Sequence, residues 1–259
     1  MPATELLLRP PPLDLLASAS LFLDFDGTLV DLVDRPDQVH ADPELRVLLA
    51  RLADALPGRV AVVSGRSIAQ LGAMLGEAVE GIALAGSHGA EFRIDGRSCP
   101  VTAPAALDMI ADRMAVFAAT RPGVVVERKS LGVALHYRLA PGHEAAAVAA
   151  ARALATEHGL VLQLGKMMAE VRADGDKGRA VARLAAGAAM AGTRPLVLGD
   201  DVTDEAAFAA AARLGGAGVL VGEPRGTHAA YALADVAAVR SWLARALEHV
   251  RDRTQDRRA

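Results

Sequence analysis

Short, almost wholly apolar runs alternate along this chain with longer segments in which Ala, Leu and Arg recur at helical spacing. "LFLDFDG" (21–27) leads to "DPELRVLLARLADAL" (42–56), "RVAVVSGR" (59–66), "SIAQLGAMLGEAVEG" (67–81) and "IALAGSHGAEFR" (82–93). The rhythm returns in "KGRAVARLAAGAAMAG" (177–192), "RPLVLGDD" (194–201), "TDEAAFAAAARLGG" (203–216) and "AGVLVGE" (217–223). Continuous apolar strands joined by helices predict an α/β fold with a doubly wound parallel sheet, covered on both faces. Ligands of such sheets lie outside the carboxyl ends of the strands.

From about residue 97 to residue 172 the order changes. A helix, "AALDMIADRMAVFAAT", precedes two adjacent strands, "GVVVERK" and "LGVALHYR". A second helix, "GHEAAAVAAARALATEHG", and two short strands follow. This predicts a small α+β domain (97–172) inserted into a core made of residues 1–96 and 173–259. The terminal "RDRTQDRRA" is expected to fray.

Composition narrows the function. Across 259 residues the net charge is −3, with both signs mixed, and there are one Trp, two Tyr and five Phe. That gives neither the basic stripe nor the stacking surface of a nucleic-acid binder. Cys99 is the sole cysteine, which excludes an internal disulfide, and the seven histidines lack zinc-ligand spacing. Glu5, Arg9 and three prolines interrupt the apolar N-terminus, so neither a signal peptide nor a membrane span is expected. A soluble cytoplasmic protein is the expectation.

The candidate chemistry sits at strand ends. Asp24 and Asp26 follow an apolar strand, and side chains at i and i+2 share a face. Two adjacent carboxylates repel, and burying them is costly unless something positive faces them. Ser64 lies where a strand gives way to a helix, with Gly65 allowing close backbone approach; such a junction is an anion site. Asp200 and Asp201 directly follow Gly199, and a hard divalent cation would explain them. Asp204 and Glu205 are covered by a structural reading, as acids complementing a helix dipole. Lys177 opens a helix, flanked by Gly175 and Gly178, and offers one cation to the acidic groups. Two decoys fail. "GLVLQLGKM" is one residue too long for a phosphate loop and has Met167 in place of Ser or Thr; "GGAG" (215–218) follows a helix.

These stretches together resemble the haloacid-dehalogenase phosphatase superfamily, and the insert matches the position of its larger cap type. "SGR", "GSHGAE", "ALHYR", "GKMMAEVR", "DKGRAV" and "GDDVTDEAAF" are similar more narrowly to trehalose-6-phosphate phosphatases, with Ala173 where that family often has proline. The resemblance implies that Asp24 is the nucleophile and Asp26 the general acid and base. It implies Mg²⁺ held by Asp24, the Asp26 carbonyl and Asp200, with Asp201 and Asp204 in support. Ser64 and Lys177 would hold phosphate oxygens. Substrate contacts would come from Gly65 and Arg66, and from Glu127, Lys129, His136, Arg138, Lys166 and Glu170 of the cap. A sugar-phosphate substrate and a place beside a trehalose-6-phosphate synthase are further implications. A related phosphatase of another sugar phosphate such as sucrose phosphate, a mutase, and a non-catalytic sugar-phosphate binder remain alternatives.

Overall fold

Successive side chains of strand β1 (Ala19–Leu23) enter two different cores. The computed structural model describes residues 8–33, 38–99 and 101–256. Helix α1 (Leu15–Ser18) precedes β1, and α2 (Pro43–Ala55), β2 (Val60–Val63), α3 (Ile68–Leu75) and β3 (Ala83–Gly86) follow it. Strands β4 (Glu91–Ile94) and β5 (Arg97–Ser98) close the first segment. The middle comprises α4 (Leu107–Ala119), β6 (Val125–Arg128), β7 (Gly132–His136), α5 (Glu144–His158), β8 (Val161–Gly165) and β9 (Met168–Arg172). The chain ends with α6 (Lys177–Ala185), β10 (Arg194–Gly199), α7 (Glu205–Arg213), β11 (Ala217–Val221), β12 (Tyr231–Leu233) and α8 (Val236–Asp256).

The large sheet has the order β12-β11-β10-β1-β2-β3-β4-β5, parallel except for β4 and β5. Leu21, Leu23, Val60, Val62, Leu196 and Leu198 point to one face, with Leu45 and Leu49 of α2, Leu71 of α3 and Leu243 of α8. Phe22, Ala61, Val63 and Val197 point to the other, with Val181 of α6 and Phe208 of α7. Both faces are therefore covered, which is why the strands read as unbroken apolar runs. Each fully buried Leu or Phe contributes roughly 1.5–3 kcal/mol. Helix starts are set locally. Asp42 accepts from Leu45 N–H at 2.8 Å ahead of Pro43, and Ser67 and Gln70 form a reciprocal capping box at α3.

A second sheet, antiparallel β6-β7-β9-β8, takes up the middle of the chain. Val133, Leu135, Ala169 and Val171 face α4 and α5 in a separate core. Strand alternation sends Glu127 and Glu170 to the opposite face.

The structure corrects one sequence reading. "EFRIDGRS" is a hairpin: Asp95 and Gly96, at φ 50° and 72°, turn β4 back into β5, so Arg97–Ser98 belong to the large sheet. That dipeptide is a strong hairpin signal, and it moves the first element of the insert to Leu107. Helix α8 continues to Asp256, and residues 257–259 lie outside those described. Among the described residues, no helix is long and apolar enough to cross a membrane.

Candidate active site

Strands β1 and β10 are neighbours in register, Leu23 opposite Leu198. Each continues into an acid, so Asp24 and Asp200 meet at the carboxyl edge of the sheet. Gly27, at φ 79°, makes the turn after Asp26, and a Cβ there would collide with the Asp200 carboxylate. Asp204 joins them: oxygens of Asp24, Asp200 and Asp204 lie within 4.8 Å of one another, all three residues buried. Lys177, only 4% exposed, donates to Asp24 Oδ1 at 2.8 Å and to Asp204 Oδ1 at 2.6 Å. It is placed by Asp176, whose carboxylate accepts from Arg179 N–H and so starts α6 at Lys177.

Lys177 and Lys166 do not neutralise three buried acids. Burial pushes the Asp24 carboxyl well above its ordinary range; Lys177 opposes this, and Asp204 and Asp200 add to it. Asp200 is raised as well, mainly by burial, although the Lys166 ammonium pairs with its Oδ2. Lys177 is itself raised: burial works against its charge, and Asp204 and Asp24 outweigh burial. Asp200 Oδ1 is buried with no hydrogen-bond partner among the described residues. Hard oxygen donors, surplus negative charge and a free carboxylate oxygen suit a divalent cation such as Mg²⁺.

Asp26 is more open and is gripped by Arg66, whose Nε and Nη2 each donate to it at 2.7 Å. Ser64 is buried just past β2, its Oγ accepting from Arg66 N–H at 3.1 Å. Above these groups a cavity of about 160 Å³ separates the sheet edge from the polar face of the second sheet. Asp24, Asp26, Ser64, Gly65, Arg66, Lys177, Asp200 and Asp201 line it from below, and Glu127, Lys129, His136, Arg138 and Lys166 line it from the second sheet. Glu127 accepts from His136 at 2.8 Å and from Gln70 of α3 at 2.9 Å. Burial would raise the Glu127 carboxyl, but these bonds and Lys129 hold it at about 2.

Two predicted residues stand back from the cavity. Glu170 is 1% exposed and accepts from Lys129 Nζ at 2.7 Å, beneath the lining rather than within it. Asp204 sits behind Asp24 and Asp200, also accepting from Asp201 N–H at 3.0 Å. The reading that left Asp201 without a structural role is corrected: Asp201 caps the turn Val202–Asp204, while Asp204 has both the structural role expected of it and a place among the buried acids. Sequence reasoning missed His88, Gln163, Thr203 and Met168 in the lining, and Gln70 and Glu91 beside it. Gln163 was recoverable, since it stands opposite Glu170 in the β8-β9 ladder.

The parallel sheet covered on both faces, with a second sheet set into it, is the haloacid-dehalogenase fold. A haloacid dehalogenase-like hydrolase from Bacteroides thetaiotaomicron shares the fold at a TM-score of 0.61, 16% identity, and 87% and 98% coverage of this and that chain. More narrowly, the family model for trehalose-phosphatases matches residues 22–237. The trehalose-6-phosphate phosphatase of Escherichia coli (strain K12) is 39% identical over 244 residues, 93% of this chain and 90% of that one. A crystal structure of a trehalose-6-phosphate phosphatase related protein superposes with a TM-score of 0.78 at 28% identity, covering 90% of this chain and 99% of that one. The chain belongs to the trehalose-phosphatase family.

Proposed function

We propose that this protein hydrolyses trehalose 6-phosphate to trehalose and phosphate, with residues 107–172 acting as a cap over the site. The observation carrying this reading is the two-sided cavity. Asp24, Ser64 and Lys177 face a polar sheet surface carrying Glu127, Lys129, His136 and Arg138. Carboxylates and cations together suit a ring of hydroxyls, each of which donates and accepts.

An Asp24 oxygen attacks phosphorus, the bond from phosphorus to the sugar oxygen breaks, and that oxygen takes a proton from Asp26. Asp26 then removes a proton from water, whose oxygen attacks phosphorus and releases Asp24 and phosphate. Arg66 fixes the direction of the Asp26 carboxylate through its two-pronged grip. Ser64 and Lys177 hold phosphate oxygens and offset developing charge. Asp24, Asp200 and the Asp26 carbonyl would hold Mg²⁺, with Asp204 and Asp201 behind them. When bound, the ion neutralises phosphate charge so that an anionic ester can approach a carboxylate. A sugar phosphate supplied by a trehalose-6-phosphate synthase would place the enzyme second in a two-step synthesis.

The test is phosphate release in Mg²⁺ from trehalose 6-phosphate, glucose 6-phosphate and sucrose phosphate. A strong preference for trehalose 6-phosphate is expected. Equal kcat/KM on trehalose 6-phosphate and glucose 6-phosphate would overturn the substrate assignment, and no release from any would overturn the enzyme reading.

A further inference from the structure

His88 has no part in the chemistry above, yet it lines the cavity while being only 7% exposed. Neither of its ring nitrogens has a hydrogen-bond partner among the described residues. Folded chains rarely leave a buried polar group unanswered without a use for it.

The backbone is held in an unfavourable conformation to keep the ring there. Ser87, His88 and Gly89 adopt φ of 48°, 56° and 91°, and only glycine takes such values readily. Hydrogen bonds from Ser87 N–H to Arg66 O (2.8 Å) and from His88 N–H to Ser64 O (2.9 Å) lock the turn to the phosphate-side loop. Ser87 Oγ adds a bond to Glu91 at 2.7 Å. Gly65 makes room for the imidazole: a Cβ there would stand 2.6 Å from His88 Nε2. Burial, then Lys177, Arg172 and Lys129, hold the ring's pKa well below its ordinary value. A neutral imidazole presents one donor and one acceptor, which matches a hydroxyl better than it matches a phosphate oxygen, an acceptor only. Lys177 on the phosphate side and Lys129 on the cap side both act on the ring, so it sits at the junction of the two halves of the site.

We propose that His88 is a specificity-determining residue, its ring nitrogens taking hydroxyls of the sugar unit that carries the scissile phosphate. The inference rests on the phosphatase reading above. It is tested by measuring kcat and KM of the wild type, His88→Asn and His88→Gly on trehalose 6-phosphate and on p-nitrophenyl phosphate, with Mg²⁺ and a thermal melt of each protein. Asn and Gly both tolerate the left-handed backbone, so the turn survives in at least one variant. The expected result is a loss of about tenfold or more in kcat/KM on the sugar phosphate, several times larger than the loss on the aryl ester, the usual cost of an unpaired polar contact. Equal losses on both substrates, or undiminished sugar-phosphate turnover, would overturn the role of His88. A wild type inactive on both substrates would instead remove the phosphatase reading, and this inference with it.

Discussion

An amide in place of the Asp24 carboxylate would keep the side chain's shape and its bond from Lys177 while removing the group proposed as the nucleophile. Asp24→Asn should therefore fold normally and lose turnover on the order of a thousandfold or more, as measured by phosphate release and circular dichroism. Substantial activity in that variant would refute the assignment. Asp26→Asn separates by leaving group. A sugar alkoxide needs a proton and nitrophenolate does not, so the first turnover of nitrophenyl phosphate should survive far better than that of the sugar ester; equal loss would count against the general acid. That Asp24, Ser64, Lys177 and Asp200 line one cavity was legible because each directly follows an apolar strand or opens a helix, and Asp26 because it stands two residues after Asp24. His88 was not, because nothing in "GSHGAE" announces a non-glycine residue in the left-handed region. Glu170 was legible as polar but not as buried: alternation fixes its face, whereas its depth depends on Lys129 folding over it from the β6-β7 turn.

Between elements, the cross-strand contact of Glu127 on β6 with His136 on β7 has a pH signature. Glu127's folded pKa is depressed from 4.5 to about 2, so its stabilisation is fully present above 4.5 and is lost as pH falls through 2. The melting-temperature gap between wild type and Glu127→Gln should be constant from pH 7 to about 5 and shrink steadily below that. A gap that persists at pH 2 would show that the contact contributes through shape rather than charge. Most elements were legible because a parallel sheet covered on both faces forces unbroken apolar runs. The β3-β4 reversal was not: "IALAGSHGAEFR" reads as one stretch, and the turn depends on Glu91 gathering Ser87 Oγ and Ile68 N–H. Those are contacts between segments, not a local pattern.

Across the whole molecule, polar contacts between the second sheet's segment and the core border the cavity: Gln70 with Glu127, Glu91 and Ser87 with Ser130, and Asp200 with Lys166. Polar contacts of this kind open more readily than an apolar interface, which supports the proposal that residues 107–172 act as a cap opening to admit substrate. Small-angle scattering should show a larger radius of gyration for the free protein than for the protein with Mg²⁺ and a phosphate mimic; identical profiles would argue against a moving cap. The central claim is that phosphorus passes through Asp24, and it is tested most directly by trapping the transfer. Asp26→Asn protein mixed with p-nitrophenyl phosphate and Mg²⁺, quenched in acid and digested, should yield a peptide bearing one phosphoryl group on Asp24 in the mass spectrum. A burst of nitrophenolate with Asp24 unmodified, or with the phosphoryl group on another residue, would contradict the account.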